Sequence, residues 1–319
     1  MDIETIVTHS GPFHADDVVG TAVIKFLFPQ ANIIRTRDKD ILDVHVDRTG
    51  SAVIDVGGRS DPFLDNYDHH QKEGGGLRAN GCPLAAAGLV WSCWGDTYVS
   101  RLFPKLGWKD WKAIASKVDT ELMQFIDAVD NGALAPNPAK LKSGESIKGC
   151  SISTLVHMQN PSNGSEGDFL LVFLETVELV GALLRRVVLS IAAKYLGETQ
   201  VRETITAHLA KEDQDPVLVL DEHAESWQSL ICQLDPSGTL LYAVFKAPDG
   251  TWMVQQAPIS ESSFEGRKPL PEAWAGLRDQ EMQGVTQVAD AVFCHRGRFI
   301  CGAKSKEGAL ALAKLAVLA

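Results

Sequence analysis

The stretch Tyr67-Asp68-His69-His70-Gln71 sets an acid beside two imidazoles, a combination that no structural element requires. Successive side chains of a strand point to opposite faces, so these three cannot all face inward from one strand. A loop or a strand end is predicted. Adjacent imidazoles repel each other once protonated, and a bound metal ion or anion would keep them neutral. A pair of partly exposed loop histidines is the alternative interpretation.

Four separate places in the chain supply residues of the types that bind metal ions. Besides Asp68, His69 and His70, they are the segment with His9, His14 and Asp16, then Asp55, and then Asp130. All but Asp130 follow predicted strands, and a parallel sheet brings the ends of its strands together, so we expect these side chains to converge. Taken alone, Asp16 could be a helix cap, Asp55 a turn residue and Asp130 a helix end.

The types of these residues indicate which ions would bind. Carboxylates and imidazoles without a thiolate suit Mn²⁺ or Mg²⁺, with Zn²⁺ and Co²⁺ as alternatives. These candidate ligands are more than one ion can coordinate. Two ions about 3.5–4 Å apart, bridged by a carboxylate, are the usual device for attack on phosphorus, because they generate a hydroxide nucleophile and neutralise the phosphoryl oxygens. We expect Asp55, at the end of a central strand, to be the bridge.

The order of the predicted elements places these residues in an α/β domain with a mainly parallel sheet. Strands are predicted over residues 4–8, 32–35, 52–56 and just before Asp68, and helices over 16–28, 84–103 and 108–129. A segment rich in Pro, Asn, Gly and Ser follows, and then a long helical pattern from Asp168 to His208. Core packing or a dimer seam would explain its apolar stripe. We predict a metal-binding catalytic domain (1–135), a junction with a linking helix (136–210) and a smaller α+β C-terminal domain (211–319).

The chain has 319 residues and a formal net charge of −11, so as a whole it would repel nucleic acids and anionic membranes. Any polyanion must therefore be held locally, for example by the basic residues from Arg296 to Lys306, although an exposed hairpin is the alternative. Six cysteines without a C-x-x-C pair argue against a zinc knuckle and a disulfide framework. Charged residues interrupt the longest apolar run, so we expect no membrane span. The first residues have no leader pattern before the first strand, so we expect a cytoplasmic protein.

Several motifs, taken in their order, resemble one known family. They are Thr8-His9-Ser10-Gly11, Phe13-His14-Ala15-Asp16, Arg35-Thr36-Arg37-Asp38, Val53-Ile54-Asp55-Val56-Gly57-Gly58, Tyr67-Asp68-His69-His70-Gln71, Ala87-Gly88-Leu89-Val90, Val129-Asp130-Asn131-Gly132, Ser263 to Trp274, and Phe299 to Lys304. The chain resembles the Myg-type (melanocyte proliferating gene) family of metal-dependent RNA exonucleases, within the DHH phosphoesterase superfamily. The likeness runs through nearly the whole sequence.

The resemblance implies two Mn²⁺ or Mg²⁺ ions and an active site in a cleft between the catalytic domain and a substrate domain. By position, the implied metal ligands are His9, His14, Asp16, Asp55, His69 and Asp130. His70 would meet the scissile phosphate or the leaving oxygen, and Asp68 would orient its neighbours. The implied substrate contacts are His295, Arg296 and Lys304. The superfamily usually has His-x3-Asp-x-Asp, whereas here His14 replaces the first Asp after one extra residue, so His14, Asp16 and Asp17 all stay open as ligands.

We therefore expect a divalent-metal-dependent phosphodiesterase, acting as a 3′–5′ exonuclease on RNA or short oligonucleotides. A small-molecule phosphatase or pyrophosphatase of the same superfamily is one alternative. A non-catalytic nucleic-acid-binding protein is another, and the completeness of the ligand set argues against it. A homodimer built through the helix from Asp168 is compatible with the sequence, as is a monomer.

Overall fold

A five-stranded sheet forms the basis of each of two compact units, Met1–Ala192 and Ala193–Ala319. The computed structural model describes residues 2–134, 139–140, 142–143, 145–147, 150–162, 166–213, 215–221, 226–261, 263 and 265–319. The predicted mixed α/β class is confirmed. The predicted domain boundary at 135/136 lies outside the described residues, and the three-part division stays a prediction.

The first unit contains seven strands and six complete helices among the described residues. In chain order they are β1 (Thr5–Thr8), α1 (Ala15–Leu27), β2 (Asn32–Arg35), α2 (Lys39–His45), β3 (Ser51–Ile54), β4 (Ser60–Asp61), β5 (Asn66–Tyr67), α3 (Ala86–Leu102), α4 (Trp108–Val118), α5 (Gln124–Asp130), β6 (Ala139–Lys140), β7 (Ser146–Ile147) and α6 (Ile152–His157). Helix α7 (Glu166–Leu209) spans the boundary between the two units.

The sheet of the first unit has the strand order β2-β1-β3-β5-β4. Strands β2, β1, β3 and β5 are parallel, and β4 is antiparallel to β5. All four residues of β3 are buried, as expected for a parallel strand that is covered on both faces. Leu42 of α2 packs on one face, against Val7 and Val53. On the other face α1 approaches closely at Gly20, where a Cβ would lie 3.1 Å from Ile54 Cγ2.

The helix predicted over 108–129 is interrupted. Helices α4 and α5 are separated by a π-helical turn, Asp119–Met123, which a 3.6-residue apolar period cannot indicate. The long helix after Asp168 is present as α7, and its predicted apolar stripe lies in the core, with Phe173, Val180 and Leu184 buried. Core packing therefore explains that stripe. No helix of the described part of the chain, α7 included, is long and apolar enough to cross a membrane.

The second unit has a mixed sheet with the order β11-β12-β10-β9-β8. Its elements are β8 (Val217–Leu220), α8 (Trp227–Leu234), β9 (Tyr242–Lys246), β10 (Trp252–Gln256), α9 (Asp279–Thr286), β11 (Ala291–Cys294), β12 (Ile300–Ala303) and α10 (Lys306–Leu318). Strands β8 and β9 are parallel, and the β9–β10, β10–β12 and β11–β12 pairs are antiparallel. Leu312 of α10 and Met282 of α9 are fully buried in one core with Val254 of β10.

Candidate metal centre

The register of three parallel strands places metal-type ligands side by side. Thr8 of β1 is paired with Ile54 of β3, and Ile54 is paired in turn with Tyr67 of β5. The next residue along each strand is His9, Asp55 and Asp68, respectively. The carboxyl ends of the strands therefore present an imidazole and two carboxylates at one edge of the sheet, where ligands bind in α/β folds.

Asp55 turns its two carboxylate oxygens towards two different histidines. Its Oδ2 lies 3.3 Å from His9 Nε2, and its Oδ1 lies 3.2 Å from His69 Nε2. The backbone of Asp55 has a φ of 57°, in the left-handed region that few non-glycine residues adopt. Strained conformations of this kind persist where the surrounding structure enforces them, and they cluster at functional sites. Asp55 N–H donates to the Tyr67 carbonyl at 3.2 Å, which holds the conformation at the end of β3.

Both histidines have their Nδ1 atoms engaged elsewhere. His9 Nδ1 lies 3.2 Å from the Ser10 carbonyl, and His69 Nδ1 lies 3.3 Å from Asn131 Oδ1. A Nδ1–H that donates to such an oxygen leaves the lone pair on Nε2, which is the tautomer that binds metal. Each Nε2 would then face carboxylate oxygens with no proton between them. A cation between these atoms removes the repulsion.

A second group of ligands lies next to Asp55. His69 Nε2 is 3.1 Å from Asp130 Oδ2 and 3.6 Å from Asp16 Oδ2. Three sets of ligand atoms each lie within 4.8 Å of one another. They are His9, His14 and Asp55; Asp55, His69 and His70; and His14, Asp16 and Asp130. Asp55 belongs to two of these sets.

Many polar atoms of this cluster are buried and have no hydrogen-bonding partner among the described residues. They are His9 Nε2, Asp16 Oδ1 and Oδ2, Asp17 Oδ2, Asp55 Oδ1 and His69 Nε2. Buried polar atoms are normally paired, because leaving one unpaired costs about 1–3 kcal/mol. Carboxylate and imidazole donors without a thiolate fit divalent ions such as Mn²⁺ and Mg²⁺. The residues present therefore fit a divalent metal centre.

The electrostatics of the metal-free site show the same need for positive charge. Burial and the nearby Asp55 raise the pKa of Asp16 well above its usual value, and burial raises the pKa of Asp17 to about 7. Burial lowers the pKa of His69, but Asp130, Asp16 and Asp55 outweigh it and raise that pKa to about 12. Without a metal ion, protons on Asp16, Asp17 and His69 offset the negative charge of the cluster. A bound cation would take the place of those protons.

Residues 5–317 match the family model MYG1_exonuc, which is described as an uncharacterised protein family (UPF0160). The chain belongs to the MYG1 exonuclease family. The resemblance expected from the motifs is confirmed. A relative named MYG1 protein from Schizosaccharomyces pombe is 30% identical over 329 residues, covering 98% of this chain and 97% of the relative. The human relative named MYG1 exonuclease is 28% identical over 330 residues, covering 97% of this chain and 84% of that protein.

Solved structures of RecJ exonucleases, members of the DHH superfamily, are distantly similar to this MYG1-family chain. Exonuclease RecJ bound to manganese shares 14% identity and a TM-score of 0.26, covering 98% of this chain and 89% of that one. RecJ from Thermus thermophilus in complex with Mn²⁺ has a TM-score of 0.24, and this chain spans about half of it, 52%. TM-scores this low add nothing to the description of the fold.

The spacing of the motif left His14, Asp16 and Asp17 all open as metal ligands. In this family member, all three lie at the candidate metal centre. His14 and Asp16 share a ligand set with Asp130, and Asp17 Oδ2 lies 3.3 Å from His9 Nε2. Asp17 Oδ1 also accepts the His14 N–H at 2.9 Å, which closes the first turn of α1. Asp16 and Asp17 are favoured there because carboxylates stabilise the positive end of a helix dipole.

Asp68 organises the loop that carries the two histidines. Its Oδ1 accepts the N–H groups of His69 and His70 at 2.7 and 3.0 Å, and its Oδ2 accepts the Gly58 N–H at 2.6 Å. The same Oδ1 lies 2.9 Å from His70 Nδ1. The His70 side chain is 64% exposed, and its Nδ1 is also 3.3 Å from Asp55 Oδ1. Asp68 thus positions both imidazoles, with His70 at the open side of the centre.

A cavity of about 420 Å³ adjoins the candidate metal ligands. Its lining consists of His14, Ala15, Asp16, Ile126, Val129, Asp130, Ser153, Thr154 and His157. Ser153 Oγ is buried there without a hydrogen-bonding partner in the described part of the chain. The residues from α6 could not be predicted, because they fall in a segment whose composition indicates only a junction. Asn131 contacts His69, a role that its position after a predicted helix does not indicate.

The three predicted substrate contacts all lie in the second unit. His295 and Arg296 are exposed in the turn after β11, and Lys304 is exposed directly after β12. The His295 ring lies 4.4 Å from the Phe299 ring, and its Nδ1 accepts the Gly297 N–H at 3.0 Å. These two contacts fix the orientation of the imidazole within the turn.

Proposed function

We propose that the chain is a divalent-metal-dependent phosphodiesterase that acts as a 3′–5′ exonuclease on RNA or short oligonucleotides. The observation that carries the proposal is the carboxylate of Asp55, whose two oxygens face His9 and His69 separately. A carboxylate that reaches two ligand groups in this way suits a pair of metal ions. The relatives named MYG1 exonuclease support the reaction class.

The residues divide into two ligand groups that share Asp55. His9, Asp17 and His14 would hold one cation, and Asp16, His69 and Asp130 would hold the other. Their nitrogen and oxygen donors favour Mn²⁺, with Mg²⁺ as the second choice. When bound, such ions would activate water and neutralise charge on the phosphoryl oxygens.

His70 is placed to act on the substrate. Its Nδ1 is engaged by Asp68 at 2.9 Å, so Nε2 is the ring nitrogen left for a phosphate or leaving oxygen. Asp68 fixes the ring through this contact and through the backbone of the loop. We assign His70 a catalytic role at the scissile phosphate and Asp68 a positioning role.

The cavity beside the ligands suits one terminal nucleotide. Its volume of about 420 Å³ lies within the range of small-ligand sites, roughly 300–1,000 Å³. Ile126 and Val129 offer apolar contact to a base or ribose, and the hydroxyls of Ser153 and Thr154 offer hydrogen bonds. A site that takes one residue at a chain end fits an exonuclease. In the second unit, His295, Arg296 and Lys304 are our proposed contacts to the phosphodiester backbone.

The test is a time course on a short RNA labelled at its 5′ end or at its 3′ end, with Mn²⁺, Mg²⁺ or a chelator. The proposal expects stepwise shortening of the 5′-labelled RNA, immediate release of the 3′ label as a mononucleotide, and no reaction with chelator. Asp55→Ala and His69→Ala should abolish both signals. Asp61→Ala, which removes a half-buried carboxylate of β4 outside the ligand sets, is the matched control and should retain them.

A stable RNA in every metal would overturn the RNA proposal. If inorganic phosphate were then released from pyrophosphate or from a nucleoside phosphate, the small-molecule alternative would replace it. RNA that is bound in Mn²⁺ but never cleaved would instead indicate a binding protein.

A further inference from the structure

The part of α7 that belongs to the first unit exposes a row of leucines. Leu171 is 59% exposed, Leu179 is 53% exposed and Leu189 is 42% exposed. Leu170, Leu174 and Leu183 are also exposed. Single exposed apolar residues are common, whereas several on one helix, interspersed with charged residues, are typical of a surface that binds another molecule. We call this surface the outer face of α7, defined by Leu171, Leu174, Glu175, Glu178, Leu179, Ala182, Leu183, Arg185, Arg186 and Leu189.

The opposite side of the helix is already used within the unit. Phe173 is fully buried, its ring lies 5.5 Å from the Phe13 ring, and the Arg35 guanidinium stacks on it at 4.3 Å. Val180 and Leu184 are buried on the same side. The helix cannot rotate to bury the outer leucines without losing these contacts. Burying them therefore takes a further surface, and a second copy of the chain can supply it.

The charges of the outer face are arranged in a self-complementary pattern. Glu175 and Glu178 precede Ala182, whereas Arg185 and Arg186 follow it. All four side chains are exposed, and none has an ion-pair partner within the residues that the structure describes. Two such faces in parallel would set like charges against each other. Two faces in antiparallel orientation would set each acidic half against a basic half.

We propose that the outer face of α7 pairs with the same face of a second copy of the chain, antiparallel about a twofold axis between Leu179 and Ala182. Leu171 of one copy then meets Leu189 of its partner, and Glu175 meets Arg185 and Arg186. The small Ala182 at the crossing allows the two helices to approach to the usual 8–10 Å. The contact is isologous, as expected for a homodimer with twofold symmetry.

The proposed interface is modest in size. The stretch from Leu171 to Leu189 is about 27 Å long at 1.5 Å per residue. One helix pair of this length buries less than the roughly 800 Å² per partner of a standard interface. We expect a reversible dimer with a dissociation constant of about 10 µM, so that the mass depends on concentration.

Sedimentation velocity of the full chain between about 1 and 100 µM tests the proposal over the range in which such a constant predicts dissociation. The chain should change from monomer to dimer across this range. Glu175→Arg with Glu178→Arg makes the face wholly basic, and Arg185→Glu with Arg186→Glu makes it wholly acidic. Each double variant should stay monomeric at the highest concentration. Glu203→Arg, an exposed charge reversal further along α7, is the matched control and should dimerise normally.

Mixing the two double variants provides the decisive measurement. The basic and acidic faces attract each other, so an equimolar mixture should form a heterodimer although neither variant self-associates. This rescue also shows that both variants are folded. A native chain that stays monomeric at every concentration overturns the proposal. A dimer that persists in both double variants overturns it as well, because it must use another surface.

Discussion

The Arg78 guanidinium lies 2.8 Å from the buried carboxylate of Asp127, one helical turn before Asp130 on α5. Arg78 also contacts Asp119, in the π-helical turn, at 2.6 Å. Asp127 accepts the Gly88 N–H at 3.0 Å, and a Cβ on Gly88 would lie 1.8 Å from Asp127 Oδ2. The segment after His70 is thereby joined to the helix that carries Asp130. Burial raises the pKa of Asp127 to about 6, so the carboxylate is ionised and paired at neutral pH.

Removing Arg78 should destabilise the first unit strongly. Arg78→Met leaves the buried Asp127 charge without its partner, and losses of this kind are about 3–5 kcal/mol in the free energy of unfolding. Arg59→Met is the control, because Arg59 pairs with Asp47 at the surface and its side chain is 46% exposed. Surface pairs contribute about 0–1 kcal/mol. Urea denaturation compares the two variants, and equal losses would contradict a special role for Arg78.

Replacing Asp68 should weaken the metal centre without removing a proposed ligand. Asp68→Ala frees the His69 and His70 N–H groups and the His70 ring, so both imidazoles lose their fixed positions. We expect a loss of about 10–100-fold in Mn²⁺ affinity or activity, the usual effect of removing an outer-shell partner. Calorimetric titration with Mn²⁺ measures the affinity. Asp61→Ala should bind Mn²⁺ as the native chain does, and native affinity in Asp68→Ala would refute the positioning role.

Metal binding should strengthen as the pH rises. The pKa of Asp17 is raised to about 7 by burial, so at pH 6 this group is mainly protonated in the metal-free protein, and the proton competes with the cation. This one competing proton predicts about tenfold tighter Mn²⁺ binding at pH 8 than at pH 6, and protons on Asp16 and His69 would add to the difference.

The stability of the metal-free protein changes with pH in the opposite direction. An acid whose pKa is higher in the folded than in the unfolded state stabilises the fold at low pH, and this contribution is lost as the pH rises to about 7. The increase in Tm on adding Mn²⁺ should therefore be larger at pH 8 than at pH 6. A pH-independent increase would show that no proton is displaced.

Asn160 should prove important for the loop that carries His14. Its Oδ1 accepts the Phe13 N–H and its Nδ2 donates to the Phe13 carbonyl, both at 2.8 Å. Asn160→Ala removes both bonds, and we expect a loss of about 1–3 kcal/mol in the free energy of unfolding together with weaker Mn²⁺ binding. Gln159→Ala removes an exposed neighbour and should change neither. Unaltered Mn²⁺ binding in Asn160→Ala would confine this residue to a structural role.

Local patterns were sufficient to predict several elements of the fold. The β-branched run before His9, the apolar run before Asp55 and the helical period after Asp168 each depend on neighbouring residues in one element. The same patterns could not predict the π-helical turn at Asp119–Met123, because one added residue in a helix leaves almost no trace in the apolar period. Nor could they separate the buried stripe of α7 as core from a dimer seam, because both require apolar residues at the same spacing.

The sequence by itself determined the chemistry of the donors. Histidines and aspartates without cysteine lie directly after predicted strands, and this combination indicated divalent metal before any distance was known. Only the tertiary structure decided how the donors meet. The register of β1, β3 and β5 brings His9, Asp55 and Asp68 to the same level, and the left-handed backbone of Asp55 turns its two oxygens to different histidines.

Only the tertiary structure showed which residues support the candidate metal centre. Asn131, Ser153 and Asn160 reach it through contacts between segments far apart in the chain. Such contacts depend on how elements pack, and packing is fixed by the burial of many side chains at once. No short stretch of sequence contains that information, which is why the ligand types could be predicted and their partners could not.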